Sequence, residues 1–248
     1  MAKGSHIDFS TIDDHLLDGL DYCRRVYDLF DQVNREPDGK SRLRLRKLKT
    51  DKRLVEELLP LASYIQARYR AWRRIKVRWL SGSQQYDAVL WSSGSLIENG
   101  GASRRVFVEV TTSVHPNEYL TRQLLHQRGG SFGVKGIYRE RKTGNIISKP
   151  HVFSGGENAK DLAEQILQRL SAKASKPYPS ATVLIVNCIP NCMMFEDEWI
   201  DAVEQVRKAG PTVAFREVFL LDMLMAHTAT LYGDRQRSPG RKSQKTSG

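Results

Sequence analysis

A chain of 248 residues can bury a full hydrophobic core, and its length fits one domain, or one domain with an appendage. A formal charge of +11 and a pI near 9.7 point to a polyanionic partner, nucleic acid before an acidic membrane surface. No apolar run reaches the length of a membrane span, no apolar stretch follows Met1-Ala2-Lys3-Gly4-Ser5-His6 as secretion would need, and Cys23, Cys188 and Cys192 are too few for a disulfide framework, so a reducing cytoplasm is the expected setting.

In residues 10–34 the apolar side chains Ile12, Leu16, Leu20, Cys23, Val26, Tyr27 and Phe30 recur at steps of three and four. That spacing predicts an amphipathic helix that covers the core or a partner subunit, a second copy included. Glu36-Pro37-Asp38-Gly39 then reads as a turn, so residues 1–40 form an N-terminal helical extension ahead of a domain over residues 41–232. The basic run that follows makes Arg44, Arg46 and Lys47 candidate phosphate contacts, with a solvated helix face as the alternative. Next, Leu54, Leu58, Leu61, Ile65, Tyr69 and Trp72 mark one face of a helix ending near Arg74, with Pro60 forcing a kink or a restart. At 100° per residue Glu57 falls at the edge of the buried stripe and Glu56 points away from it. Arg68, Arg70, Arg73 and Arg74 extend the positive surface, Arg73 as a further nucleic-acid contact.

Residues 75–80 read as the first strand, closed by Ser81-Gly82-Ser83. The centre of the chain follows. In Tyr86-Asp87-Ala88-Val89-Leu90-Trp91 the period of two sends Asp87 to the face opposite Ala88 and Leu90. In Val106-Phe107-Val108-Glu109-Val110-Thr111 it sends Glu109 and Thr111 to one face and the valines to the other. A polar connection rich in Gly, Ser and Asn joins the two, and a hairpin would lay Asp87 beside Glu109. Acids within such a run are costly unless compensated, and two facing carboxylates suit a divalent cation, with a backbone carbonyl, water and substrate phosphate completing its shell.

Beyond Thr112 a helix is expected over residues 118–128, with Leu120, Leu124 and Leu125 inward and Arg122, Gln123 and His126 as candidate phosphate or water contacts. Residues 131–156 are poorly patterned and carry Lys135, Arg139, Arg141 and Lys142, which suits a basic loop or short hairpin closing over a bound strand. His151 there reads as structural or solvated. Asn158 is the expected cap of a helix with Leu162, Ile166, Leu167 and Leu170 buried and Lys173 near its end. The continuous apolar run Thr182-Val183-Leu184-Ile185-Val186 predicts a strand covered on both faces. A helix over residues 196–208 and a last strand over 215–221 then imply a parallel crossover and a mixed α/β sheet. Cys188 and Cys192 with a distant His make a poor zinc site. Residues 233–248, basic and without apolar periodicity, are expected to be a disordered tail.

An acid on one strand followed by Glu-x-Lys on the next resembles the signature of the PD-(D/E)XK, or restriction-endonuclease-like, nuclease superfamily, here as Asp87 and then Glu109-Val110-Thr111. The resemblance covers residues 51–221 in element order and implies a mixed central sheet flanked by helices. It also implies Mg²⁺ or Mn²⁺ held by Asp87 and Glu109, and a supporting acid on the preceding helix, for which Glu57 is the candidate. Thr111 stands at the motif's lysine. A threonine can hydrogen-bond a water but supplies no charge; Arg122, Lys135 or Lys173 is then the substitute cation, unless a second metal serves.

The expected function is therefore a metal-dependent endonuclease hydrolysing phosphodiester bonds in DNA, with Glu57, Asp87, Glu109 and Thr111 at the site. Arg44, Arg46, Lys47, Arg73, Arg122, Gln123 and Lys135 would bind the nucleic acid. The alternatives are a nuclease fold without chemistry, acting as a nucleic-acid-binding or assembly subunit, and an interaction protein that pairs through residues 10–34.

Overall fold

The computed structural model describes residues 6–94, 105–152, 154–190, 194–210 and 215–232, so the connection at 95–104, Cys192 and the basic tail lie outside the described residues. One mixed seven-stranded sheet runs through it in the order β1-β2-β3-β4-β7-β8-β9. Its strands are β1 (Leu17–Asp18), β2 (Arg74–Trp79), β3 (Ala88–Ser93), β4 (Arg105–Ser113), β7 (Thr182–Cys188), β8 (Glu217–Asp222) and β9 (His227–Tyr232). Both partners of β7 are parallel to it and all other pairs are antiparallel. The predicted crossover is therefore present, as β7, a helix over Glu196–Lys208, then β8.

Alternation along the strands divides the core in two. Val108 and Val110 of β4, Ala88 and Leu90 of β3, and Val183 and Ile185 of β7 face one layer, made by α1 (Gly19–Arg35), α2 (Gly39–Leu45), a π turn (Leu54–Leu58) and α4 (Leu59–Arg68). A short helix α3 (Lys49–Arg53) leads into the π turn. Leu184 and Val186 face the other layer, α6 (Glu157–Ala174) and α7 (Glu196–Lys208). Helix α5 (Glu118–Arg128) buries Leu120 and Leu124 against Ile137 and Ile146 of a small hairpin, β5 (Ile137–Arg139) and β6 (Ile146–Ser148). The basic stretch expected as a loop or hairpin over residues 131–156 thus contains a hairpin.

Several elements differ from the sequence reading. The first helix begins at Gly19, capped by the Asp18 carboxylate on the Leu20 N–H at 2.9 Å, and not near residue 10. Its buried stripe is Tyr22, Cys23, Val26 and Val33, while Leu16 and Leu20 are 55% and 50% exposed. The preceding residues instead bring Ile7, Phe9 and Ile12 into the same core as β2, β3 and β4 and add a two-residue strand at the sheet edge. Gly156, not Asn158, precedes α6, and β9 is an extra edge strand beyond the one expected last. Between α1 and α2 the predicted turn is present. It requires Gly39, where a Cβ would stand 1.7 Å from the Val33 carbonyl oxygen.

Candidate active site

The site begins where β3 starts. Ala88 pairs with Val108, but the chain bends at Asp87: its N–H donates to the Val108 carbonyl at 2.8 Å and its own carbonyl accepts from Leu80 at 2.9 Å. Where another strand residue would have satisfied β4, the Asp87 carboxylate does so, its Oδ2 accepting the Val110 N–H at 2.7 Å. That nitrogen belongs to the peptide following Glu109, so one acid is held against the backbone of the other. The N–H and C=O of an extended residue point to the same side, which turns the Val110 carbonyl toward this edge as well.

Glu109 projects to the α6 side of the sheet, the face of its β7 partner Leu184. There the Lys173 ammonium, on the last turn of α6, ion-pairs with Glu109 Oε1. That cation arrives from a helix 64 residues further along the chain than Glu109. Thr111 is buried on the same face of β4, with its hydroxyl too short to do Lys173's work. Glu57 reaches the strand edge from the π turn, its carboxylate 3.9 Å from the Arg53 guanidinium. A cleft of about 260 Å³ is lined by Glu57, Val110, Thr111 and Thr112, with Lys52, Glu56 and Arg169 around them.

The acids feel one another. Burial, then the negative charge of Glu109, pushes the Asp87 carboxyl up to about 7, against the opposing pull of the Val110 N–H. Burial also raises Glu57; Arg53 counters it, and Glu56 and Glu109 add to it. Tyr178 is raised too, by burial and by the charge of Glu109 beside it. Asp87, Glu109 and Glu57 therefore share one field that a cation would relieve. Among the described residues no group of three or more His, Cys, Asp or Glu is placed to hold a metal ion. The donors that fit a hard cation are the Asp87 and Glu109 carboxylates and the Val110 carbonyl, with water and substrate oxygens supplying the rest.

Of the expected nucleic-acid contacts, the structure brings two together. Arg46 and Arg122 flank Glu56, at 3.2 and 3.7 Å, and line a second cleft of about 630 Å³. Arg44 donates to the Leu125 carbonyl at 2.9 Å, Gln123 accepts from Arg139 at 2.8 Å, and Lys135 is held by Glu157 and Asp161. Lys47 is exposed after α2. Arg73 bonds Ser92 at 3.3 Å at the far end of β2, about 20 Å along the strands from Asp87. His126 is exposed on α5.

Glu56 is a correction. Expected to point away from the fold, it is only 15% exposed, against 31% for Glu57, and is surrounded by Arg46, Lys52 and Arg122. The π turn is the reason, because its wider winding shifts the residues before Pro60 off the 100° period. Sequence reasoning also passed over Tyr178 and Arg169. Arg169 had a signal, since it lies one helical turn before Lys173 on the same face of α6. Comparison of the chain with family models, with curated proteins and with solved structures finds no match.

Proposed function

We propose that the chain is a metal-dependent nuclease of restriction-endonuclease-like architecture, hydrolysing phosphodiester bonds in DNA. One observation carries this reading: Asp87 is held on the backbone beside Glu109 while the Lys173 ammonium rests on Glu109, so two acids and a cation share the open edge of a central strand. A structural ion pair needs only Lys173 and Glu109. The second acid, pushed up to about 7, is a stability cost that a purely structural site has no reason to keep.

What a divalent cation supplies at such a pair is a bound water of lowered pKa and a counter-charge for the phosphate. The chain's own side chains do the remainder. Asp87 and Glu109 would hold that cation and so set where a phosphate oxygen is received. Lys173, three carbons longer in reach than a hydroxyl-bearing Thr111, places a positive charge where the phosphorane oxygens become more negative. Glu57, raised by burial above the ordinary carboxylate range, holds a proton more readily than an exposed acid and can exchange it with water at the strand edge.

Labelled duplex and single-stranded DNA incubated with the purified chain and Mn²⁺ or Mg²⁺ tests the reading. Cleavage is expected, and Asp87→Asn, Glu109→Gln and Lys173→Met should each lower its rate at least a hundredfold while the variants stay folded. Cleavage indifferent to all three would refute it. Thr111 in place of the motif lysine favours a second reading, a nuclease fold that binds nucleic acid without cutting it. DNA binding with no cleavage under any divalent metal would establish that one.

A further inference from the structure

The larger cleft lies next to the acid pair and belongs to neither strand of the motif. Its rim holds four cationic side chains, Arg46, Lys52, Arg122 and Arg169, against two carboxylates, Glu56 and Glu118. Glu56 alone is shared by Arg46, Lys52 and Arg122, and Arg122 also pairs with Glu118. Arg46 and Arg122 stand close enough to oppose each other's charge: burial first, then Arg122, lowers the Arg46 guanidinium. Among the described residues Arg169 has no carboxylate within ion-pair distance, so the cleft keeps a surplus of positive charge. Tyr119 stands on its wall, 52% exposed, with Pro116 beside it. Gln165 and Gln168 add amide groups from α6.

A volume of about 630 Å³ is far more than one phosphate needs and falls in the range of small-ligand sites. Clustered guanidiniums recognise phosphate, and an exposed tyrosine face stacks on a base only when that base is not paired. The direction of the cleft is set by α6. Arg169 lines both clefts, and Lys173, one turn or about 6 Å further along the same helix face, sits on Glu109. Arg169 thus stands between the larger cleft and the helix turn that carries Lys173 to Glu109.

We propose that this cleft seats one unpaired nucleotide of a polynucleotide strand, its phosphate among Arg46, Arg122 and Arg169 and its base against Tyr119, so that the adjoining phosphodiester meets Asp87 and Glu109. The seat rests on the nuclease reading only for what lies beyond it; the binding itself does not. It makes single strands, or frayed ends, the substrate class.

The test uses the full chain carrying Asp87→Asn, in EDTA, with fluorescence anisotropy of a labelled twelve-residue oligothymidylate and of a blunt duplex of equal length. The single strand is expected to bind at least tenfold tighter than the duplex. Tyr119→Ala should weaken the single strand about tenfold and leave the duplex unchanged, and Tyr119→Phe should restore it. Arg169→Gln should weaken the single strand as well. Arg46 and Arg122 are left intact, because their loss would strand Glu56 and Glu118 without partners. Equal or tighter duplex binding, or indifference to Tyr119→Ala in a variant with unchanged thermal unfolding, overturns the seat. Displacement of the oligonucleotide by inorganic phosphate or thymidine monophosphate at equal concentration would make it a small-anion site and overturns the strand. Single-strand binding as stated, with no cleavage by the wild-type chain in Mn²⁺, would leave the seat standing and remove the nuclease reading.

Discussion

At the scale of single residues the fold carries one group whose protonation opposes it. Because Asp87 is raised to about 7 from an ordinary 3.8, the folded chain holds its proton more tightly than the unfolded chain does. The protonated form imposes no penalty below about pH 4; the cost accrues as pH rises through 4 to 7 and is complete above. Asp87→Asn keeps an oxygen for the Val110 N–H and removes the charge. It should therefore raise the unfolding temperature at pH 8, by on the order of 2 kcal/mol in stability after discounting the roughly 4 of three pKa units for solvent access, with the gain gone by pH 4. Mn²⁺ at pH 8 should stabilise the wild type and not this variant; thermal melts across pH, with and without metal, measure both. Removing the opposing charge of Lys173 should act the other way, since Lys173→Ala leaves Glu109 half-buried and unpaired, at a cost of about 1–3 kcal/mol in urea unfolding. The two acids were legible because a strand alternates, and an acid among valines breaks the alternation. Lys173 was legible as one of three candidate cations, with Arg122 and Lys135, and no spacing rule picks it out for a strand 64 residues earlier.

Among the elements, the segment before β2 departs furthest from its sequence pattern, and the departure builds the cleft. Pro60 has no N–H and its ring crowds the carbonyl four residues back. The chain answers with the π turn over Leu54–Leu58, in which Leu59 bonds back to Leu54, and Glu56 swings inward to meet Arg46 from α2 and Arg122 from α5. A reading at constant 100° per residue has no means of finding that turn, whereas β7, apolar throughout, could be read as doubly covered from composition alone. What pins α2 and α3 in place is Arg42, only 7% exposed at its side chain, bridging Glu36 and Asp51, with Asp51 Oδ1 at 2.8 Å and 1% exposed. The paired Asp51 holds the guanidinium above its usual range. Asp51→Ala leaves a buried guanidinium without the carboxylate that accepts two of its hydrogen bonds. The expected loss is about 3–5 kcal/mol in urea unfolding, with single-strand affinity falling alongside because Arg46 and Lys52 ride on these helices.

For the whole molecule, the proposed seat implies that charge sets affinity and the cleft sets choice, and the two can be separated. The chain's +11 is spread widely, and residues 233–248 contribute five cations, Arg235, Arg237, Arg241, Lys242 and Lys245, against Asp234, a net +4. Truncation after Tyr232 therefore leaves 11 − 4 = +7. Phosphate contacts made by such a tail carry no sequence or strand information and release counterions on binding. In the Asp87→Asn background, the truncated chain should bind both single strand and duplex more weakly at low salt. Its plot of log affinity against log salt should be shallower, by up to about 3 units for four phosphate contacts on a single strand. The ratio of single-strand to duplex affinity should not move, because the proposed seat assigns that ratio to Tyr119 and an unpaired base and not to distributed charge. Anisotropy titrations from 50 to about 200 mM salt, the range over which such contacts weaken most visibly, read both quantities at once. A ratio that collapses with the tail would place strand choice outside the cleft, while an unchanged ratio with a shallower slope separates the steering charge from the seat beside Asp87 and Glu109.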